Sequence, residues 1–340
     1  MKALRVLVLM HEDLIPPDDL SGYNETQVND WKTEYDVVTA LGEMGHAVLK
    51  LGARDELTPI RAAIVEWKPD IVFNLLEEFR GQAVYDQNMV GYLELLGMPY
   101  TGCNPGGLLL ARDKALSKEL LTYHRIRVPD FAVFAMERKV RRPRRLTFPL
   151  IIKSVNEDAS LGISQASVVH DDEKLAERVR FIHDHLKTHA IAEQFIAGRD
   201  IYVGVLGNHR LTVLPAQELV FKKAPEEAVF IATAKAKHDV AYQEKWGIDI
   251  LPVHGLADDV KANLERSSKR IYRVLRLSGY ARIDFRLDDS GRIYFLEANA
   301  NPEIARYEEF ASAAATAGVS YESLLRRILN LGLERARTGP

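Results

Sequence analysis

Short apolar runs alternate with amphipathic segments over the first hundred residues of the chain. Continuous apolar stretches such as ALRVLVLM and DIVFNLL predict buried strands, whereas TEYDVVTALGEMG and LTPIRAAIVEWKP have the apolar spacing of helices. Strands that alternate with helices form a parallel sheet with right-handed crossovers. The pattern therefore predicts an α/β domain over residues 1–105, with ligand contacts beyond the carboxyl ends of its strands. A short strand is also expected at PYTG.

The rest of the chain mixes helices with strands of a different arrangement. The run GGLLLARDKALSKELLTYHRI predicts one helix, FPLIIKSV and HAIAEQFI predict strands, and RDIYVGVLGNHRLTVLPAQEL predicts a hairpin turned at 207–209. Further helices are expected near 257–277 and in SYESLLRRILNLGLERA. We divide this part into a central segment, 106–195, and a C-terminal segment, 196–340.

One predicted hairpin places carboxylates where apolar residues would be expected. In RIDFRLDDSGRIYFLEANANP, residues 282–302, the turn chemistry of DDSG separates two strand-like runs. If Asp288 pairs with Ile293, Asp284 lies directly opposite Glu297. The hairpin thus predicts two facing carboxylates.

Arg282 and Asn299 complete this polar face, because alternate residues of a strand point to the same side. Facing carboxylates repel each other, and a cation between them removes the repulsion. Oxygen ligands of this kind suit Mg²⁺, which also keeps waters and phosphate oxygens. We therefore predict a metal that holds a nucleotide. A hairpin with its charges on the solvent side is the alternative.

Upstream features indicate phosphate and nucleotide binding. Lys153 interrupts an apolar strand, where either an ion pair or a phosphate would compensate its charge. The small residues of DASLGIS, which follows, allow backbone N–H groups to approach phosphate oxygens. Lys114, in ARDKALSK, is a weaker candidate. The segment IAEQFIAGRD ends a strand and offers backbone groups to an adenine edge, with Asp200 for ribose hydroxyls; an ordinary strand end is the alternative.

Composition excludes several classes of function. The net charge of the 340 residues is -3, so the chain has no overall attraction to nucleic acid or membranes. Cys103 is the only cysteine, which excludes an internal disulfide and a multi-thiolate metal site. Neither a G-x-G-x-x-G after the first strand nor a P-loop is present, which argues against a nicotinamide cofactor and P-loop chemistry. No apolar run approaches the ~18 residues of a membrane helix, and we expect a cytoplasmic protein.

Five segments, taken in order, resemble the D-alanine–D-alanine ligase branch of the ATP-grasp superfamily. They are GYLELLGMPYTGC, ARDKALSKELL, FPLIIKSVNEDASLGIS, IAEQFIAGRDIYVGVLG and GYARIDFRLDDSGRIYFLEANANP. The likeness covers most of residues 70–335. It implies an N-terminal Rossmann-like parallel sheet, α/β in class, followed by a two-lobed α+β ATP-grasp fold. It also implies ATP and two Mg²⁺ ions (or Mn²⁺), small amino-acid or peptide substrates, and a homodimer through the N-terminal domain.

The resemblance also implies roles for individual residues. Phosphate contacts would come from Lys114, Lys153, the loop residues Ser160, Leu161 and Gly162, and Lys237, with Lys235 as its alternative. Adenine would face Glu193, Gln194, Phe195 and Ile196, and ribose would face Asp200. The metal ligands would be Asp284, Glu297 and Asn299. The candidate catalytic residues are Arg282, which would steady the acyl phosphate and the oxyanion, Lys237 and Ser160.

The sequence departs from that family at its substrate sites. The Gly-rich HGxxGEDG segment is replaced by NLLEEFRGQAVYDQN, and Glu34 is a candidate for the amine-binding acid. Glu303 stands where the family has Gly, and Glu308 where it has a Ser that binds the acceptor carboxylate. A glutamate there would repel a carboxylate unless a proton or cation intervened. Either Arg306 takes over this contact, or the acceptor is cationic or lacks a carboxylate.

These observations predict an ATP-dependent carboxylate–amine ligase with rebuilt amino-acid pockets. A genuine D-alanine–D-alanine ligase of cell-wall synthesis is one alternative. A nucleotide-binding module without turnover is another, and a biotin-dependent carboxylase is disfavoured because no carrier-lysine segment is found.

Overall fold

The computed structural model of the chain describes residues 2–156, 164–223, 236 and 239–338. The strands of this part are β1 Arg5–His11, β2 Ala47–Ala53, β3 Ile71–Asn74, β4 Phe131–Phe134, β5 Leu150–Ser154, β6 Val168–Val169, β7 Ala190–Gln194, β8 Arg199–Leu206, β9 Thr212–Val213, β10 Gln217–Phe221, β11 Ile248–Pro252, β12 Tyr280–Leu287 and β13 Ile293–Ala300. The α-helices are α1 Glu25–Asp30, α2 Lys32–Glu43, α3 Thr58–Trp67, α4 Asp86–Leu95, α5 Pro105–Arg112, α6 Lys114–Tyr123, α7 Asp172–Phe181, α8 Val240–Trp246, α9 Asp258–Val274, α10 Glu309–Thr316 and α11 Tyr321–Thr338.

The first sheet is parallel, with the strand order β2–β1–β3. Its central strand β1 is buried from Val6 to Met10, as its unbroken apolar run predicts. The strand expected at PYTG is reduced to a single parallel bridge between Tyr100 and Val72. The predicted α/β arrangement of this region is confirmed.

The second sheet is antiparallel, in the order β4–β7–β5–β6. Leu150 and Ile152 of β5 pack into an apolar core with Val179 of α7. Since strand residues alternate, Lys153 faces away from this core. One face of the sheet is therefore closed by a helix, and the other carries polar side chains.

The third sheet is antiparallel, in the order β11–β10–β8–β12–β13, with β9 beside β8 as the predicted hairpin requires. Ile283 and Phe285 of β12 lie in the same apolar core as Ile271 of α9. The alternate residues Arg282 and Asp284 consequently point to the opposite face. A parallel sheet followed by two antiparallel sheets is the predicted architecture, and it is confirmed.

The long helix predicted across 106–126 is instead two helices. Asp113 separates α5 from α6, and its carboxylate accepts hydrogen bonds from the backbone N–H groups of Ala115 and Leu116. An aspartate in this N-cap position starts a new helix rather than continuing the old one. The break sets the direction of α6, and with it that of Lys114 and Lys118.

No helix in the described part of the chain is both long and apolar enough to cross a membrane. The domain boundaries near residues 105 and 195, and the homodimer, stay predictions.

Candidate active site

The hairpin of β12 and β13 brings the two predicted carboxylates together. Asp284 pairs directly with Glu297, which confirms the predicted pairing. Near the turn, however, Leu287 rather than Asp288 pairs with Ile293. A β-bulge at Leu296, which has no cross-strand partner, shifts the register by one residue and so restores the pairing of Asp284 with Glu297.

Asp284 lies at the centre of a buried polar cluster. Arg282 donates from Nε and Nη2 to its two carboxylate oxygens, at 2.8 and 3.0 Å, and Asn299 donates from Nδ2 at 3.1 Å. Arg282 also reaches Glu309, with 3.7 Å between Nη1 and Oε2. The three residues predicted from alternation thus share one face, and Glu309 joins them from the start of α10.

Glu297 lies against a lysine from the helix opposite. The Nζ atom of Lys114 is 3.4 Å from Oε2 of Glu297. Lys114 is buried, and it follows directly on the cap residue Asp113. The predicted phosphate-binding lysine and the predicted metal ligand are therefore adjacent.

A second buried charge cluster joins the second sheet to the third. Glu193 of β7 contacts Lys118 at 2.9 Å and Lys153 at 3.1 Å. Lys118, wholly buried on α6, also donates to the carbonyl oxygen of the bulged Leu296. This lysine satisfies the carbonyl group that the bulge removes from the strand ladder.

The Glu193 carboxyl group stays ionised despite its burial. Burial raises the pKa of Glu193, but the ammonium groups of Lys118 and Lys153 outweigh it and lower that pKa below its usual value. Burial lowers the pKa of Lys118, and Glu193 opposes the change. Because the Glu193 carboxylate binds the two lysines, only the backbone of Glu193 is left to contact adenine.

The predicted ribose and adenine contacts are linked by Arg286. Its Nη1 lies 2.7 Å from Asp200, its Nε donates to the carbonyl oxygen of Ile196 at 2.9 Å, and its guanidinium lies over the ring of Phe195. The backbone N–H of Gln194 donates to the Asp130 carbonyl oxygen. Arg286 thus joins Phe195, Ile196 and Asp200, whereas the backbone of Gln194 is held by Asp130.

The predicted substrate residues form a separate acidic region. Lys32 of α2 contacts Glu303 at 3.1 Å and donates a hydrogen bond to Glu308. Thr33 donates to Glu303 as well, at 3.2 Å. Burial and then Glu303 raise the pKa of Glu308, while Lys32 opposes the shift. Lys32 is the cation that this pair of glutamates requires, and it was not predicted.

Glu34 is influenced by the charge of this acidic region, whereas the Arg306 side chain binds elsewhere. Glu34 is only 6% exposed, and burial, followed by the charges of Glu77 and Glu303, raises its pKa to about 8. Arg306 instead donates to Glu322 at 3.0 Å and stacks over Tyr321, so its guanidinium is engaged on α11.

Several predicted residues lie outside the described part of the chain. They are Ser160, Leu161, Gly162, Lys235 and Lys237. Their predicted roles on the phosphates stay predictions.

The donor set of the hairpin fits a hard divalent cation. Among the described residues, no three His, Cys, Asp or Glu side chains form a metal site by themselves. Asp284, Glu297 and the amide oxygen of Asn299 would supply oxygen ligands and leave positions for phosphate oxygens and water, which suits Mg²⁺. Arg282 pairs with Asp284, and Lys114 pairs with Glu297, so each carboxylate has a cationic neighbour.

A model of the family described as "D-ala D-ala ligase C-terminus" matches residues 120–330, more than half of the chain. The chain belongs to the D-alanine–D-alanine ligase family. A relative in that family, a D-alanine–D-alanine ligase of Desulfotalea psychrophila, is 33% identical over 276 residues, which cover 79% of this chain and 80% of that protein. The uncharacterized protein y4sG of Sinorhizobium fredii is 33% identical over 307 residues, 88% of this chain and 87% of that one.

Solved structures share the fold of the family. The D-alanine–D-alanine ligase of Bacillus anthracis complexed with ATP matches 99% of each chain with a TM-score of 0.75 at 21% identity. The VanG D-Ala:D-Ser ligase of Enterococcus faecalis matches 97% of this chain and 100% of its own, with a TM-score of 0.70 at 19% identity. These likenesses establish the ATP-grasp fold.

Some site residues were missed from the sequence. Lys118 had a signal, since it follows Lys114 by four residues and so lies on the same helix face. Tyr202, whose ring lies under the Arg282 guanidinium, had one too, because it alternates with Asp200 along β8. Lys32 had none, because its partners lie some 270 residues away in sequence.

Proposed function

We propose that the chain is an ATP-dependent carboxylate–amine ligase that forms an amide bond through an acyl phosphate. The observation that carries this proposal is the direct pairing of Asp284 with Glu297, on one face with Arg282 and Asn299. Such a face suits a metal-bound triphosphate, because phosphoryl transfer needs charge neutralisation and positioning more than covalent catalysis.

In the proposed reaction, a substrate carboxylate attacks the terminal phosphorus of ATP, and ADP leaves. An amine then attacks the acyl carbon, and inorganic phosphate leaves. Asp284, Glu297 and Asn299 would hold Mg²⁺, which neutralises phosphate oxygens. Lys114 and Lys153 supply positive charge beside them, and their partners Glu297 and Glu193 keep both side chains in place.

We further propose that the amino-acid pockets differ from those for two D-alanines. Glu303 and Glu308 are both held by Lys32, and Arg306 is engaged with Glu322. This arrangement supports an acceptor that is cationic or lacks a carboxylate next to Glu303 and Glu308, since a carboxylate there would be repelled. Glu34 is the proposed contact for a substrate amine.

A second candidate is D-alanine–D-alanine ligation itself. The name of the Desulfotalea psychrophila relative favours it. It would require the acidic region to accept the carboxylate of a second D-alanine.

A coupled assay of ADP release tests these proposals. Purified protein would be given ATP, Mg²⁺ and panels of carboxylates and amines, with D-alanine alone as one arm and bicarbonate as another. We expect ADP only when a carboxylate and an amine are both present, and little with D-alanine alone. Rapid ADP release with D-alanine alone would support the second candidate, bicarbonate dependence would indicate a carboxylase, and nucleotide binding without turnover would indicate a binding module.

A further inference from the structure

A row of polar side chains crosses the third sheet beyond the predicted metal ligands. Glu297 pairs with Asp284, Asp284 pairs with Tyr202, and Tyr202 pairs with Gln217. Cross-strand partners lie side by side on one face of a sheet. Tyr202 and Gln217 therefore extend the face of Asp284 and Glu297 by two more strands, about 10 Å at the usual strand spacing.

Both added side chains are buried without a hydrogen bond. Tyr202 is 4% exposed and Gln217 is 2% exposed. Neither the Tyr202 hydroxyl nor the Gln217 Nε2 has a partner within the described part of the chain. Buried polar groups are nearly always paired, because an unpaired one loses its hydration without compensation. Two such groups in one row indicate partners that come from a ligand.

The surroundings of Tyr202 favour an anionic partner. The Arg282 guanidinium lies over its ring, 4.9 Å from the ring centre. The cross-strand neighbour of Tyr202, Asp284, already accepts hydrogen bonds from Arg282 and Asn299. A tyrosine hydroxyl carries its proton near neutral pH and can therefore donate to an anionic partner.

We propose that Tyr202 and Gln217 bind the ligand directly and donate hydrogen bonds to its phosphate oxygens, Tyr202 to the same terminal phosphoryl group that Arg282 faces. This inference rests on the proposed function and adds two binding residues to it. It explains why an aromatic hydroxyl and an amide stand where the strand pattern would accept apolar residues. A phenylalanine ring would support Arg282 equally well, so the hydroxyl of Tyr202 needs a separate explanation, and hydrogen bonding to the ligand provides it.

Matched variants separate ligand binding from a structural role. Tyr202→Phe keeps the ring beneath Arg282 and removes only the unpaired hydroxyl, and Gln217→Met removes the amide at similar volume. Tyr272→Phe is the control, because the Tyr272 hydroxyl is equally buried but donates to the Gly207 carbonyl oxygen at 2.8 Å. The readouts are the thermal midpoint of the ligand-free protein and the dissociation constants of ADP and of a non-hydrolysable ATP analogue, both with Mg²⁺.

We expect Tyr202→Phe and Gln217→Met to leave the ligand-free midpoint unchanged or higher. Both should weaken binding of the ATP analogue by about tenfold, as for a lost hydrogen bond to a charged group. Tyr202→Phe should leave ADP binding unchanged, because ADP lacks the terminal phosphoryl group. Tyr272→Phe should lower the midpoint and leave both affinities unchanged.

The inference is overturned if Tyr202→Phe lowers the midpoint as Tyr272→Phe does while the analogue binds as tightly as to the wild type. That result would give Tyr202 a structural role. If wild-type protein binds neither nucleotide, the proposed function itself fails, and the inference fails with it.

Discussion

Glu34 is a carboxyl group that is buried beside other carboxylates. Its pKa rises from the usual 4.5 to about 8, chiefly through burial and then through Glu77 and Glu303. Between these two values the folded protein holds a proton that the unfolded chain releases. The free energy of unfolding therefore falls as pH rises through this window, and below it the group costs nothing.

Glu34→Gln should remove this pH dependence. We expect the wild type to lose more stability than the variant between pH about 4.5 and about 8, at up to roughly 1.4 kcal/mol for each pH unit. Urea unfolding across that range measures the difference. The exposed Glu43 of the same helix provides the control, Glu43→Gln, which should follow the wild type. If the free energy of unfolding falls equally in the wild type and in Glu34→Gln, the raised pKa of Glu34 is not the cause of the pH dependence.

Lys118 is the residue whose loss should cost most stability. Lys118→Met leaves Glu193 with one lysine and the Leu296 carbonyl oxygen without its donor. We expect a loss of about 3 kcal/mol, because Glu193 loses one of its two buried cations and the Leu296 carbonyl oxygen loses its donor. Denaturant unfolding provides the measurement.

A matched control is Lys174→Met, since Lys174 pairs with Glu177 on the exposed surface of α7. It should cost less than about 1 kcal/mol. Equal effects of the two substitutions would show that the buried cluster contributes no more than a surface ion pair.

At the level of elements, Asp113 sets where α6 begins. Asp113→Ala removes the side-chain acceptor for Ala115 and Leu116 and should destabilise the protein by about 1 kcal/mol. Asp113→Asn keeps an acceptor and should retain most of the stability. The comparison of their unfolding midpoints is the test, and a loss in the asparagine variant as large as in the alanine variant would argue against the cap.

Strand alternation placed Arg282 with Asp284 and Glu297 with Asn299, but the pairing of Asp284 with Glu297 was predicted from a register at the turn that is wrong by one residue, and the bulge at Leu296 compensates for it. Strand alternation reports only which residues share a face. It could not predict the bulge at Leu296, because the bulge depends on Lys118, which comes from a distant helix. The break at Asp113 was missed for the opposite reason. The apolar spacing continues across it, and only the local cap chemistry marks the new helix.

At the scale of the whole molecule, side chains from distant segments bring the sheets together. Lys118 links the second sheet to the third through Glu193 and Leu296. Arg335 of α11 donates to the carbonyl oxygens of Tyr100 and Gly102 and to the Ser278 hydroxyl. Periodicity identifies elements but carries no information on such long-range partners. The sequence therefore predicted the order of the sheets and the polar hairpin, and not the contacts that join them.

The acidic region illustrates the same limit. The resemblance indicated that a glutamate at position 308 would repel an acceptor carboxylate unless a proton or cation intervened, and Arg306 was the candidate to take over that contact. The fold brings Lys32 from the first helical region instead, and Arg306 pairs with Glu322. The cation that lies nearest to the glutamates depends on how distant segments pack together. Local sequence patterns contain no information on that packing.

We propose that Asp284 and Glu297 hold divalent ions together with a triphosphate. Binding of Mn²⁺ in place of Mg²⁺, counted by electron paramagnetic resonance with a non-hydrolysable ATP analogue, tests it most directly. We predict two tightly bound Mn²⁺ ions per chain when the analogue is present, and loss of this binding in Asp284→Asn and Glu297→Gln. Unchanged Mn²⁺ binding in both variants, or none in the wild type, would contradict it.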